Sequence, residues 1–196
     1  MKIVTVPNQV LSSPTIPVTE IDSNIKKIVA DMEKVLIAQD DPPGVGLAAN
    51  QVGLDLSIFL VKPTEKSKTK IFINPKIIKI VESVESVKSV KSVTGSTDST
   101  DLTDSTKKKR NKVKLEGCLS IPRIWGPVKR AEKVLLKYQD ISGKKYEKWF
   151  SGFEATIIQH EVDHLNGVVF TQRSVEQKGQ LYREENDELV KISLTG

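Results

Sequence analysis

The two histidines of this 196-residue chain, His160 and His164, fall in one pentapeptide, His160-Glu161-Val162-Asp163-His164, and its single cysteine lies upstream in Glu116-Gly117-Cys118-Leu119-Ser120. On an α-helix, side chains four apart share a face, so both imidazoles reach one ion. Two nitrogens fill only half of a tetrahedral shell. A catalytic ion usually takes three protein ligands and a water, which makes Cys118 the third candidate. Thiolate with imidazole suits zinc or ferrous iron and argues against magnesium or calcium. Glu161, next to the first ligand, stands beside the ion and can move protons for a metal-bound water. The chemistry is hydrolysis. Two core histidines bonded to backbone carbonyls are the bland alternative; this spacing on a capped helix favours ligation.

Such a site needs a rigid helix under it. The pattern predicts one over 151–166, with a capping box in Ser151-Gly152-Phe153-Glu154 and a stop at Asn166-Gly167. One of its faces collects Phe153, Ile157, His160, Glu161 and His164, so the metal face runs on into an apolar one and the helix is expected to be largely buried. A second amphipathic helix is expected from about Ser23 to Gln39, capped by Asp22 or Ser23 and ended by Pro42-Pro43-Gly44. Gly44 to Gln51 then form a Gly-rich loop. Strands are expected at 56–62 and 70–80, as a hairpin at 133–138 and 144–150, and as a pair in the tail at 179–183 and 188–194. Short strands outnumber helices. The expected class is α+β, with small antiparallel or mixed sheets around a central buried helix carrying the motif.

Length and a 38% apolar content fit one catalytic domain over 1–196. Between 82 and 112 the composition changes to a Ser-Val repeat of period three and a Lys107-Lys108-Lys109-Arg110 run, matching neither strand nor helix, and a mobile insertion is expected. No apolar run approaches the roughly 20 residues of a membrane span, and the start, Met1-Lys2-Ile3-Val4-Thr5-Val6-Pro7, has no secretory pattern; a cytoplasmic protein is expected. One cysteine forms no internal disulfide, which agrees with a reducing compartment. A net charge of +5 is compatible with an RNA-rich partner but common on solvated surfaces, and sequence-specific nucleic-acid binding is not expected.

Three segments in order, Gly44-Val45-Gly46-Leu47-Ala48-Ala49-Asn50-Gln51, Glu116-Gly117-Cys118-Leu119-Ser120 and Gln159-His160-Glu161-Val162-Asp163-His164-Leu165, resemble the three signature motifs of peptide deformylases. The resemblance extends to the first helix and to Arg130-Ala131-Glu132-Lys133-Val134, most of the chain outside 82–112. It implies a mixed α+β fold and removal of the N-formyl group from nascent proteins that begin with formylmethionine. It also implies one divalent ion on Cys118, His160 and His164, ferrous iron above zinc, nickel or cobalt. Glu161 would take a proton from the attacking water and return it to the departing amine. The family pattern assigns stabilisation of the oxyanion to the Gln51 amide and the Leu119 N–H.

Substrate contacts are read more loosely. The backbone at Val45 and Gly46 can pair with an extended peptide as an added strand, and Gly117 leaves the main chain open beside the cysteine. Phe153, Thr156 and Ile157 lie one or two turns before His160 and are candidates for a methionine pocket. Arg130 is a candidate partner for Asp163, bracing the motif helix. Where many family members carry a peptide-contacting arginine, this chain has Trp125, with Arg123 close by. The long C-terminal helix of some members is replaced by a strand-like tail. The expected partners are formylated nascent peptides and the ribosome near its exit tunnel, met by a monomer. The rival enzymatic reading is a His-Glu-x-x-His zinc peptidase that takes Glu184 or Glu185 as third ligand.

Overall fold

The computed structural model describes residues 1–82 and 114–192. The expected insertion at 82–112 therefore lies, apart from Glu82, outside the described residues, as do the last residues of the tail.

Helix α1 (Ser23–Ile37) begins where the Asp22 carboxylate accepts the Ile25 N–H at 2.8 Å, one of the donors a helix start leaves without an internal partner. It buries Ile25, Val29, Met32 and Leu36, one stripe at helical spacing. Strand β1 (Gly46–Ala48) follows, and a 3-10 turn (Ala49–Val52) completes the Gly-rich segment. Strands β2 (Ile58–Val61), β3 (Lys70–Val81), β4 (Leu115–Cys118), β5 (Ile121–Pro127), β6 (Lys133–Gln139) and β7 (Lys145–Ser151) lead to helix α2 (Gly152–Leu165). Helix α3 (Phe170–Glu176) and the hairpin of β8 (Tyr182–Glu185) and β9 (Glu188–Lys191) end the described chain.

The strands form two sheets, ordered β1-β2-β3-β6-β7 and β4-β5-β8-β9, with every pairing between named strands antiparallel. Strand β2 is buried at all its positions because both faces of the sheet are covered. Ile58 and Leu60 join the core under Val29, Met32 and Leu36 of α1. Phe59 and Val61, pointing the other way, join Ala155, Ile157 and Ile158 of α2. A third core, Phe170 with Ile121, Leu181 and Cys118, seats α3 on the second sheet.

Three expectations need correction. Ser151 occupies the N-cap position of α2 without a side-chain cap bond, and Glu154 of the expected capping box pairs with Lys70 at 2.5 Å instead. Helix α3 was not expected: one short turn-pair burying Phe170 and Ser174 is too brief to show a period. The tail strands are shorter than expected, and residues 193–194 lie outside the described part. The stop of α2 is as expected. Gly167 has φ +73°, and a Cβ there would lie 2.8 Å from the backbone of Ser12 and Ser13.

Candidate metal centre and substrate cleft

Helix α2 packs on the first sheet through Ala155, Ile157 and Ile158 and turns His160 and His164 toward the end of β4, where Cys118 sits. Ligand atoms of Cys118, His160 and His164 all lie within 4.8 Å of one another. Cys118 Sγ is 3.1 Å from His164 Nε2. Burial would push the Cys118 thiol up, but the imidazoles of His164 and His160 outweigh it and hold the thiol well below its ordinary range, toward the thiolate a metal needs. One soft sulfur and two imidazoles, buried together beside an acid, fit a borderline divalent ion; hard oxygen-loving cations are a poor match.

His160 is oriented from outside the cluster. His160 Nδ1 is 3.1 Å from Glu116 Oε2. Burial pushes the Glu116 carboxyl up, yet hydrogen bonds from His160 and Arg130 hold it at about 2. An ionised carboxylate only accepts, so Nδ1 carries the proton and Nε2 keeps its lone pair for the ion. Arg130 in turn grips Glu116 with two bonds of 2.9 Å and bonds Asp163 of α2 through Nη1. Arg173 of α3 holds the same Asp163 at 2.8 and 3.2 Å. Arg130, Glu116 and Asp163 are only 9–11% exposed, so the expected Arg130–Asp163 contact is a buried network and no surface pair. Sequence reasoning missed Glu116 and Arg173. The glutamate stood two residues before the cysteine in a quoted motif, but only the β4–α2 packing reveals its reach to His160.

The Gly-rich segment docks on the same helix. Asn50 Nδ2 donates to the His164 carbonyl, and the Ala48 N–H donates to Gln51 Oε1 at 2.8 Å. That bond fixes the amide so that Gln51 Nε2 faces Cys118 Sγ at 3.3 Å and Ser120 Oγ at 3.4 Å. Glu161 is buried beside Gly46, where a Cβ would fall 2.2 Å from its Oε1. Burial pushes the Glu161 carboxyl up to about 7, against the pull of the two imidazoles. Its Oε2 is buried with no protein hydrogen-bond partner, a cost that a polar substrate atom would remove.

These groups open onto a cleft of about 760 Å³. Val45, Gly46, Gly117, Leu119, Phe153, Thr156 and Ile157 all line it, with Phe153 53% exposed. Strand β1 is the outer strand of its sheet, so its second edge is free among the described strands to pair with an extended chain. Trp125 also lines the cleft, its ring against Gly117 and its Nε1–H donating to Glu184 Oε2 at 2.8 Å. Glu184 is thereby engaged on the tail hairpin, and neither it nor Glu185 joins the ligand cluster, which removes the peptidase reading.

Residues 1–180 match the family model described as polypeptide deformylase. The chain belongs to the polypeptide deformylase family. It is 30% identical to the peptide deformylase of Desulfotalea psychrophila over 189 residues, 94% of each chain. It is 35% identical to that of Borreliella burgdorferi over 170 residues, covering 87% of this chain and 85% of the relative. The crystal structure of the Thermotoga maritima peptide deformylase superposes with a TM-score of 0.67 at 30% identity, covering 88% of this chain and 95% of the other. The deformylase is a metal-dependent hydrolase that removes the formyl group from the N-terminal methionine of newly made proteins. Among the described residues, no helix is long and apolar enough to cross a membrane.

Proposed function

We propose that Cys118, His160 and His164 hold the catalytic ion, ferrous iron in the cell, and that the chain works as one catalytic unit built around α2 as its central buried element. The observation that carries this is the convergence of one thiolate and two imidazoles with Glu161 and Gln51 beside one cleft. A divalent ion held there supplies Lewis acidity and activates water at neutral pH. Glu161, with a carboxyl poised near neutrality, accepts the proton of the attacking water and delivers it to the departing amine, so the formyl group leaves as formate. Gln51 Nε2 and the Leu119 N–H donate to the oxygen that gains charge as the formyl carbon becomes tetrahedral.

The peptide lies along Val45 and Gly46 as a strand added to β1, which tolerates many sequences because main-chain bonds carry the affinity. Gly117, which also lines the cleft, borders the chain. The methionine side chain enters between Phe153, Thr156 and Ile157. Arg130 and Asp163 keep the ligand helix in register. The enzyme acts as a cytoplasmic monomer on chains leaving the ribosome, and 82–112 is an insertion the chemistry does not use.

Anaerobic purification with metal analysis, followed by assay of a formyl-Met peptide against its acetyl counterpart, tests this reading. Stoichiometric metal, lost in Cys118→Ala, and hydrolysis confined to the formyl peptide are expected. Equal hydrolysis of both peptides, or metal retained without Cys118, would overturn it.

A further inference from the structure

The first sheet has α2 on one side of β6 and β7, where Val134, Leu136 and Phe150 enter the core. Side chains alternate along a strand, so their neighbours point the opposite way. The register places Val81, Lys133 and Ser151 in one rung across β3, β6 and β7. Lys79, Leu135 and Trp149 form the next rung, and Lys76, Lys137 and Glu147 the third. Gln139 and Lys145 continue the row on β6 and β7. On this face Lys76, Lys79, Lys133, Lys137 and Lys145 are all exposed, against one carboxylate among the described residues of the three strands, Glu147.

Lysines on β7 alone would protect an edge strand from pairing with other chains. Four of these five instead lie on β3 and β6, interior strands of the sheet, where edge protection has no purpose. In their midst Trp149 is 50% exposed, and Val81, Lys133, Phe150 and Ser151 border a depression of about 360 Å³ beside it. The depression lies at the end of the sheet nearest the catalytic cleft. Glu132 and Gly152 line the cleft, and the next residues inward on the two strands, Lys133 and Ser151, are the paired rung that lines the depression.

We propose that this face binds a single-stranded segment of RNA beside the mouth of the active site. An unpaired strand needs a cationic track for its phosphates and an aromatic platform for a base, and the sheet presents both. An acidic peptide would use the lysines and leave the indole idle. RNA is preferred to other polyanions because the substrate is a newly made polypeptide, which is born beside RNA; this step rests on the deformylase reading. Lysines and indole hold the strand by charge and stacking, without reading its sequence.

The test uses the full chain and a fluorescent oligouridylate of about 12 nucleotides, followed by anisotropy at roughly 50 and 200 mM salt. Wild-type binding should weaken with salt, with a log–log slope of about −0.7 per phosphate contacted. Lys79→Glu with Lys137→Glu should lower affinity at least ~10-fold and flatten that slope. Trp149→Ala should lower it about 5- to 100-fold with the slope retained. All three positions lie outside the cleft lining, so deformylation of a short formyl-Met peptide should be unchanged. If the charge reversal does not fold, Lys79→Gln with Lys137→Gln reads the same term at smaller amplitude. Binding indifferent to both sets of changes overturns the proposal. So does equal or tighter binding of polyglutamate or phosphatidylglycerol vesicles. Loss of peptide deformylation by the wild type would strike the enzymatic reading and leave the measured RNA affinity standing.

Discussion

Arg130 holds Glu116 by two parallel hydrogen bonds, Nε to Oε1 and Nη2 to Oε2, each 2.9 Å long. The fork fixes a carboxylate that fixes His160, and through Nη1 the same guanidinium reaches Asp163 three residues further along the ligand helix. One side chain thus ties strand β4, which carries Cys118, to helix α2, which carries both histidines. Glu161, Cys118 and Gln51 line the cleft; this network lies behind them.

Glu116→Gln removes the charge that orients the His160 ring while leaving every proposed ligand in place. Metal affinity should fall about 10- to 100-fold, the usual cost of losing a carboxylate partner of a ligating histidine. Competition against a chelator measures it. Arg130→Lys, which keeps the charge and loses the fork, should move metal affinity in the same direction. Wild-type affinity in both variants would show that Glu116 has no part in holding the ion.

The same residue sets an acid limit. The Glu116 carboxyl falls from 4.5 to about 2 on folding, so its contribution to stability is fully present above about pH 4.5 and is lost as pH falls toward 2. Below 4.5 the unfolded chain binds a proton at this group and the folded chain does not. Urea midpoints between pH 5 and 3 should therefore drop more steeply for the wild type than for Glu116→Gln. Parallel curves would assign the acid sensitivity to other groups.

Gly46→Ala tests how closely β1, the proposed peptide-binding strand, approaches Glu161, the proposed proton carrier. The new Cβ would lie 2.2 Å from Glu161 Oε1 and 2.8 Å from Ile157 Cγ2, so the carboxylate must move. A displacement of about 1 Å in a catalytic group costs roughly 100-fold in rate. The expected outcome is a fall in kcat of that order with full metal content. An unchanged kcat would mean that Glu161 works from another position.

Gln51→Ala should lower kcat by about 100- to 1000-fold with little change in KM, because in the proposed mechanism its amide donates to charge that appears only in the transition state. Bound metal should persist, since Gln51 approaches Cys118 only through a 3.3 Å hydrogen bond. A rise in KM alone would recast the residue as a binding group.

Much of the centre was legible in the residues themselves. His160, Glu161 and His164 share one helix, so their relation follows from a period of 3.6 and needs no tertiary information. The burial of α1 and the four buried positions of β2 were likewise readable from periodicity and from an apolar run. The cap of α2 was misread because Glu154 lies within reach of Lys70, a partner on a distant strand. Helix α3 was missed because its stability comes from seating Phe170 on the second sheet and from Arg173 holding Asp163.

By itself, then, the sequence determined the donor types, their helical spacing and the family to which they belong, since these depend on side-chain chemistry and local geometry. Only the tertiary structure decided what lies across from what. It put Glu116 behind His160, Arg130 between β4 and α2, and the face of Gly46 against Glu161. It also lined up five lysines from three strands around Trp149, because strand register is set by pairing between segments far apart in the chain.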